Sequence, residues 1–206
     1  MEKSVIHLLR CKTNEAVEAE LWDDISDEHI KLWQDHWLPP IQSKKESLEK
    51  NKIPKEKWPQ DLHWQWDKKT DWSRKLLSLR RFSIVCEGRL QGLMLVNLTK
   101  MTCRAIDHAG KDLAYIEFVS TAPWNRLDIS NEQVFSLVGR VMIRVAVDLS
   151  REEGFRGRIG LHSLPQANLY YSGRCGMTDL GADDSYHGLV YFEMTEKQAA
   201  EFLGKK

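Results

Sequence analysis

A glutamate within an apolar strand is the residue whose type and setting best suit chemistry. Glu117 lies between Ile116 and Phe118 in the segment 113–119. Apolar surroundings raise the pKa of a carboxyl group, as a general base working near neutral pH requires. We therefore interpret Glu117 as a candidate base, with His162 at the end of a later strand as a second candidate. The alternatives are a Glu117 that faces solvent or pairs with an arginine, and a His162 that is simply hydrogen-bonded.

The elements that must position these side chains follow from apolar runs and turn residues. Strands are predicted over residues 4–10, 82–86, 90–97, 99–106, 113–119, 158–162 and 189–194. Helices are predicted from Ser26 to the break at Pro39, from Val134 to about Glu153, over 165–172 and over 196–202. A capping-box pattern at Ser130 precedes the long helix. Strands that come first and then alternate with helices predict an α/β fold with helices packed on a mixed sheet.

The overall composition excludes several classes of function. The 206 residues carry 30 basic and 30 acidic side chains, so no net charge attracts nucleic acid or an anionic membrane. No apolar run reaches the ~20 residues of a membrane span, and the start lacks the pattern of a signal peptide. The four cysteines are scattered and the histidines show no ligand spacing. We therefore expect a cytoplasmic protein with reduced thiols and no metal site.

The second half of the chain resembles the GNAT superfamily of acetyl-CoA-dependent N-acetyltransferases. The segments that carry the likeness are the hairpin 87–95, the strand end 118–123, the helix start 139–143, the strand 157–162, and the ending 167–177. The resemblance implies a mostly antiparallel central sheet flanked by helices. It also implies a single GNAT-like domain over 1–206, with the acyl-CoA site in a core over 80–194. Residues 22–79 would form an enlarged Trp-rich helical insertion on the acceptor side.

The implied activity is transfer of an acetyl group from acetyl-CoA to a primary amine by direct attack in a ternary complex. The implied cofactor contacts are Phe118, Val119, Thr121, Arg126, Val138, Gly139, Arg140 and Asn168. Backbone amides at the helix start would hold the pyrophosphate, helped by the helix dipole. Glu117 would be the base, the amide near Val119 the oxyanion donor, and Tyr171, or its neighbour Tyr170, the acid for the leaving thiolate.

The phosphate loop departs from the family pattern Arg/Gln-x-x-Gly-x-Gly/Ala. The corresponding residues are Val134, Leu137 and Gly139, and only the last one matches. The capping box at Ser130 also predicts a helix that begins before Gly139. Either Ser130 opens a separate turn, or the pyrophosphate lies nearer residues 128–133, or the site has decayed. The departure leaves an alternative function, a non-catalytic GNAT-like binding or regulatory module.

All but one of the eight tryptophans lie between Trp22 and Trp72. Trp64 and Trp66 alternate, so on a strand they would face the same side and could form a substrate-binding wall. The alternative is a second small core that fixes the insertion to the sheet. The expected acceptor is a small-molecule or peptide amine. Zero net charge disfavours a nucleic acid, although the lysines of 44–57 keep that question open; no membrane partner is expected, and the chain could form a homodimer.

Overall fold

The computed structural model describes residues 2–204, which form nine strands and five α-helices. The strands are β1 (Lys3–Arg10), β2 (Glu15–Trp22), β3 (Leu79–Cys86), β4 (Arg89–Asn97), β5 (Ala114–Thr121), β6 (Phe135–Ser136), β7 (Ile159–Ser163), β8 (Thr178–Asp183) and β9 (Leu189–Met194). The helices are α1 (Asp27–His36), α2 (Leu38–Lys50), α3 (Trp66–Arg74), α4 (Val138–Glu152) and α5 (Glu196–Gly204). The strand and helix content confirms the predicted α/β class.

The chain divides into two compact units. Unit 1 comprises the chain up to Leu76, Arg81–Met94 and Val119–Gly139. Unit 2 comprises Leu77–Arg80, Leu95–Phe118 and the chain from Arg140 onward. Strands β3, β4 and β5 and helix α4 therefore have residues in both units.

Unit 1 is built on antiparallel strands in the order β6-β1-β2-β3-β4. Strand β1 pairs with β2 along its whole length, from Lys3↔Trp22 to Arg10↔Glu15. The predicted hairpin is confirmed, because β3 and β4 are joined by a two-residue turn. Glu87 and Gly88 of this turn have φ of 51° and 68°, as the twist of a tight hairpin requires.

The helices of unit 1 bury three of the tryptophans. The predicted cap is confirmed: the Oγ of Ser26 accepts from the N–H of His29 at the start of α1. The prolines lie at the start of α2, where a missing N–H costs little. Trp33, Trp37 and Trp66 are at most 2% exposed, and the indole N–H of Trp37 donates to the carbonyl of Leu90 at 3.0 Å. These three side chains are core residues of unit 1.

Unit 2 contains the strand order β5-β7-β9-β8. Strand β5 is parallel to β7, whereas β7–β9 and β9–β8 are antiparallel. Mostly antiparallel pairing is thus confirmed. Helix α4 buries Met142, Ile143, Ala146 and Val147, a set with the spacing of one helical face. The chain leaves α4 through Gly154, whose φ of 80° suits glycine at a helix end.

Several predicted boundaries were wrong. The strand expected over 99–106 is an irregular loop with one bridge, Thr102↔Asp112. The helix expected from Val134 begins at Val138, because Phe135 and Ser136 pair with β1 instead. The helix over 165–172 is a 3-10 turn, Pro165–Ala167, followed by a π turn, Tyr170–Arg174. Strands β2 and β8 were not predicted. Between residues 2 and 204, the structure has no helix with the length and apolar character of a membrane span.

Candidate functional site

The open end of β5 is the first feature of the site. The parallel ladder joins Ala114–Ile116 to Ile159–Leu161, and its last pair is Ile116↔Leu161. Strand β5 continues through Glu117 and Phe118 to Thr121. The candidate base is therefore the first residue beyond the ladder. Phe118, Val119 and Thr121, the cofactor contacts expected on this strand, are partly exposed.

Glu117 is held by a lysine that sequence reasoning missed. The ammonium of Lys100 donates to Oε1 of Glu117 at 2.5 Å, and the Glu117 side chain is 10% exposed. Its other carboxylate oxygen, Oε2, is buried and has no hydrogen-bond partner among residues 2–204. The carboxylate thus neither faces solvent nor pairs with an arginine. A buried polar atom without a partner calls for a ligand or a water molecule.

His162 lies in a closed hydrogen-bond network in unit 2. The Tyr115 hydroxyl donates to Nδ1 of His162 at 2.8 Å, and Nε2 of His162 donates to Asp183 at 3.0 Å. Tyr186 stacks on the imidazole, with ring centroids 3.7 Å apart. Burial lowers the pKa of His162, although its hydrogen bond to Asp183 opposes the change. Both ring nitrogens are engaged in a neutral ring, so the structure shows the hydrogen-bonded alternative for His162.

Asp183 anchors the outer end of this network. The Arg104 guanidinium donates to it at 2.6 Å. This hydrogen bond, with the one from His162, lowers the pKa of Asp183 to about 2. The carboxylate is therefore charged at neutral pH and balanced by Arg104. Neither residue could be found from sequence spacing, since they are far apart in the chain and Asp183 ends the unpredicted strand β8.

Tyr171 and Asn168 lie in the short turns after β7. Tyr171 is 7% exposed, and its ring lies 5.9 Å from that of Phe192. Tyr170 packs edge-on against Tyr171, and burial raises the pKa of Tyr170. The Oδ1 of Asn168 is buried, without a hydrogen-bond partner in the part of the chain that is described. Asn168 is thus the second predicted site residue with an unsatisfied polar atom.

The segment before α4 is fixed in unit 1 by buried amide side chains. Oε1 of Gln91 accepts from the indole N–H of Trp124 at 3.0 Å and from Nδ2 of Asn125 at 2.9 Å. Oδ1 of Asn125 in turn accepts from the N–H of Phe135 at 2.8 Å. These bonds hold the chain up to β6. The path into Leu137 is therefore defined by the core of unit 1.

Leu137 turns the chain into α4 with a φ of 72°. This is the left-handed region that glycine adopts easily, and Leu137 is where the family motif has its middle glycine. The capping box at Ser130 does not start the helix: Ser130 lies in an irregular segment, and its Oγ accepts from the N–H of Glu132 at 3.4 Å. Val138 and Gly139 are the first residues of α4, so their amides lack intrahelical partners.

The two arginines expected at the cofactor have protein partners. Arg126 donates to Asp61 and Asp128, at 2.9 and 2.6 Å through Nη2. Burial opposes its charge, yet the hydrogen bonds to Asp128 and Asp61 raise the pKa of Arg126. Its guanidinium is thus neutralised by two carboxylates, and its part in cofactor binding stays a prediction. The Arg140 guanidinium lies 5.1 Å from the ring centroid of Phe202.

Trp64 and Trp66 touch, but they do not alternate on a strand. Trp64 precedes α3 and Trp66 is its first residue, with the rings edge-on at 6.3 Å. Because Trp66 is only 1% exposed, a substrate wall here would be formed by the partly exposed Trp64. No three His, Cys, Asp or Glu side chains within residues 2–204 are grouped so as to hold a metal ion.

Comparisons with known proteins identify the fold. No protein-family model matches the sequence, and no curated protein matches it. Among solved structures, a GNAT-family protein of Desulfovibrio desulfuricans is 10% identical, with a TM-score of 0.56 over 86% of this chain and 99% of that one. The GNAT domain of S. lividans PAT is 12% identical, with a TM-score of 0.56 over 93% and 96%. Mycobacterium smegmatis RimJ, in complex with CoA-disulfide, is 15% identical, with a TM-score of 0.53 over 98% and 93%. The chain has the fold of the GNAT superfamily.

Proposed function

We propose that the protein is an acetyl-CoA-dependent N-acetyltransferase acting on a primary amine. The observation that carries this proposal is the left-handed turn at Leu137, directly before the start of α4. A left-handed conformation costs an L-residue roughly 1–2 kcal/mol, so it persists only where other interactions impose it. On this proposal the turn belongs to a phosphate loop in which Leu137 stands where the family motif has glycine.

The helix start is suited to a pyrophosphate. The amides of Val138 and Gly139 carry the partial positive charge of the α4 N-terminus, which favours a negatively charged group. Arg140 follows directly in the chain and could add charge. Arg126 is already neutralised by Asp61 and Asp128, so we assign it the smaller part of any electrostatic contribution.

The cofactor arm and its thioester fit the open end of β5. Backbone groups of Phe118, Val119 and Thr121 would bind the pantetheine amides, as in an added strand. The buried Oδ1 of Asn168 would accept a hydrogen bond from an amide N–H of the same arm and so gain the partner that it lacks in the described chain. Acetyl-CoA supplies an acyl group on a good leaving thiolate.

Two side chains of unit 2 would move the protons. Glu117 would take a proton from the acceptor ammonium, because only the neutral amine attacks the thioester carbonyl. The N–C bond forms as the C–S bond breaks, and the Tyr171 hydroxyl would protonate the leaving sulfur. A backbone N–H near Val119 would stabilise the oxyanion. Trp64 is the candidate side chain for contact with the acceptor, a small-molecule or peptide amine.

A calorimetric titration with acetyl-CoA and CoA tests the proposal. We expect both to bind, as the bound CoA-disulfide in M. smegmatis RimJ supports. If both fail to bind at millimolar concentration, the enzyme proposal is refuted and a non-catalytic GNAT-like module is favoured. With a panel of primary amines, Tyr171→Phe should keep its affinity for acetyl-CoA and lose turnover. Tyr170→Phe is measured beside it, and a loss of turnover in that variant alone would assign the acid to Tyr170.

A further inference from the structure

An ammonium group already lies on the carboxylate of Glu117. The Nζ of Lys100 is 2.5 Å from Oε1 of Glu117, 5.0 Å from the ring centroid of Tyr115, and 5.2 Å from that of Tyr186. A carboxylate and two aromatic faces are the groups that proteins use to bind a cationic amine. Lys100 thus occupies the position, relative to Glu117, that an acceptor amine would need.

The setting of Lys100 differs from that of other paired lysines. The side chains of Lys3 and Glu20 are 54% and 40% exposed, and those of Lys197 and Glu201 are 88% and 58% exposed. In contrast, Lys100 is 29% exposed and Glu117 only 10%. The Lys100 pair is therefore less exposed than the other two pairs.

We propose that Lys100 is an internal acyl acceptor, which the protein acetylates on itself when acetyl-CoA is bound. This inference rests on the proposed function, since it uses the same Glu117 and the same acyl donor. It adds a modification site and a substrate, the side-chain amine of a lysine in the loop between β4 and β5. In the free protein Lys100 already binds the Glu117 carboxylate, so it would compete with any external amine for this group.

The reaction balances without another reagent. The Lys100 ammonium gives one proton to Glu117, and its nitrogen then attacks the thioester carbonyl carbon. The new N–C bond replaces the C–S bond, and the second amine proton ends on the departing sulfur, which leaves as the CoA thiol. Glu117 afterwards releases its proton to water. The product is a neutral acetyl-lysine, which no longer pairs electrostatically with Glu117.

The protonation state of a lysine amine sets the expected rate. Only the small neutral fraction of a lysine amine reacts, so self-acetylation should be slow at neutral pH and faster as the pH rises. The Glu117 contribution is separable from this effect. A general base typically contributes 10²–10⁴-fold, so Glu117→Gln should slow Lys100 acetylation by about 100-fold or more.

The test uses the full chain with acetyl-CoA and no added amine. Intact-mass measurement followed by peptide mapping gives the acetylation rate of each lysine. We expect Lys100 to be modified well before Lys3 and Lys197, which are more exposed and report chemical acetylation without catalysis. Lys100→Arg keeps a cation beside Glu117 and should abolish the signal, whereas the matched variant Lys3→Arg should not.

Calorimetry on the same samples separates the two proposals. If acetyl-CoA binds but Lys100 reacts no faster than Lys3, the inference is overturned and the proposed function stands. An equal rate at Lys100 in wild type and Glu117→Gln also overturns it. If acetyl-CoA does not bind, both proposals fall together.

Discussion

Replacing Leu137 tests whether the turn before α4 carries the strain of a left-handed backbone. Leu137 has a φ of 72° and is 44% exposed. Leu137→Gly would relieve roughly 1–2 kcal/mol of left-handed strain. It would also lose about 0.5–1 kcal/mol through the greater freedom of glycine in the unfolded chain. The half-buried leucine side chain is lost as well, so a single variant does not separate these two contributions to stability.

Leu137→Ala provides the matched reference, because it removes the same side chain and keeps the strain. We expect the glycine variant to be more stable than the alanine variant by about 0.5–1 kcal/mol, the difference between the two terms. The sign should reverse at Ser136, a strand residue without positive φ, where glycine should be less stable than alanine by about 0.5–1 kcal/mol. Urea denaturation measures all four variants. A glycine variant at 137 that is no more stable than alanine would refute the reasoning.

Three further predictions concern the two cores. Gly160→Ala places a Cβ 2.6 Å from the Tyr191 hydroxyl oxygen and should destabilise the folded protein by about 1–3 kcal/mol. The loss should be smaller in a Tyr191→Phe background, and equal losses in the two backgrounds would contradict the clash. Trp37→Phe removes the hydrogen bond from the buried indole to the Leu90 carbonyl and should cost about 1–3 kcal/mol. Trp72→Phe, at 41% exposure, should cost under about 0.5 kcal/mol, and denaturation measures both. Burial lowers the pKa of His162, so as the pH falls the unfolded chain binds this proton before the folded chain does. The free energy of unfolding should therefore fall as the pH drops below about 6.5, and less steeply in His162→Gln. Equal slopes in the two proteins would exclude His162 as the cause.

The fold was largely predictable because its strongest signals are local. The hairpin turn at Glu87 and Gly88, the cap at Ser26 and the apolar face of α4 each depend on neighbouring residues. Strand β8 could not be predicted, since its sequence from Thr178 to Asp183 contains a single large apolar residue, Leu180, and it forms by pairing with β9. Phe135 and Ser136 were assigned to a helix because their local sequence fits a helical pattern. Their pairing with β1 is a long-range contact that overrides a local helical pattern.

The candidate site was predictable only where one residue carried the signal. Glu117 and Asn168 were identified from the sequence, and both have a buried polar atom without a partner in the described chain. Lys100 was missed, because an irregular loop brings it to Glu117 and no periodic pattern reports that contact. Arg126 was identified by its charge alone, and its neutralisation by Asp61 depends on the fold of a distant segment.

The turn before α4 shows why loss of a motif is weaker evidence than loss of a conformation. Glycine is favoured in a left-handed turn because it avoids a steric cost, not because it contacts the ligand with a side chain. The cost to another residue is roughly 1–2 kcal/mol, which the packing of unit 1 can offset. Gln91 and Asn125 fix the chain up to Phe135, two residues before the turn at Leu137. Amide donors at the start of α4 therefore survive a sequence in which only Gly139 still matches the pattern.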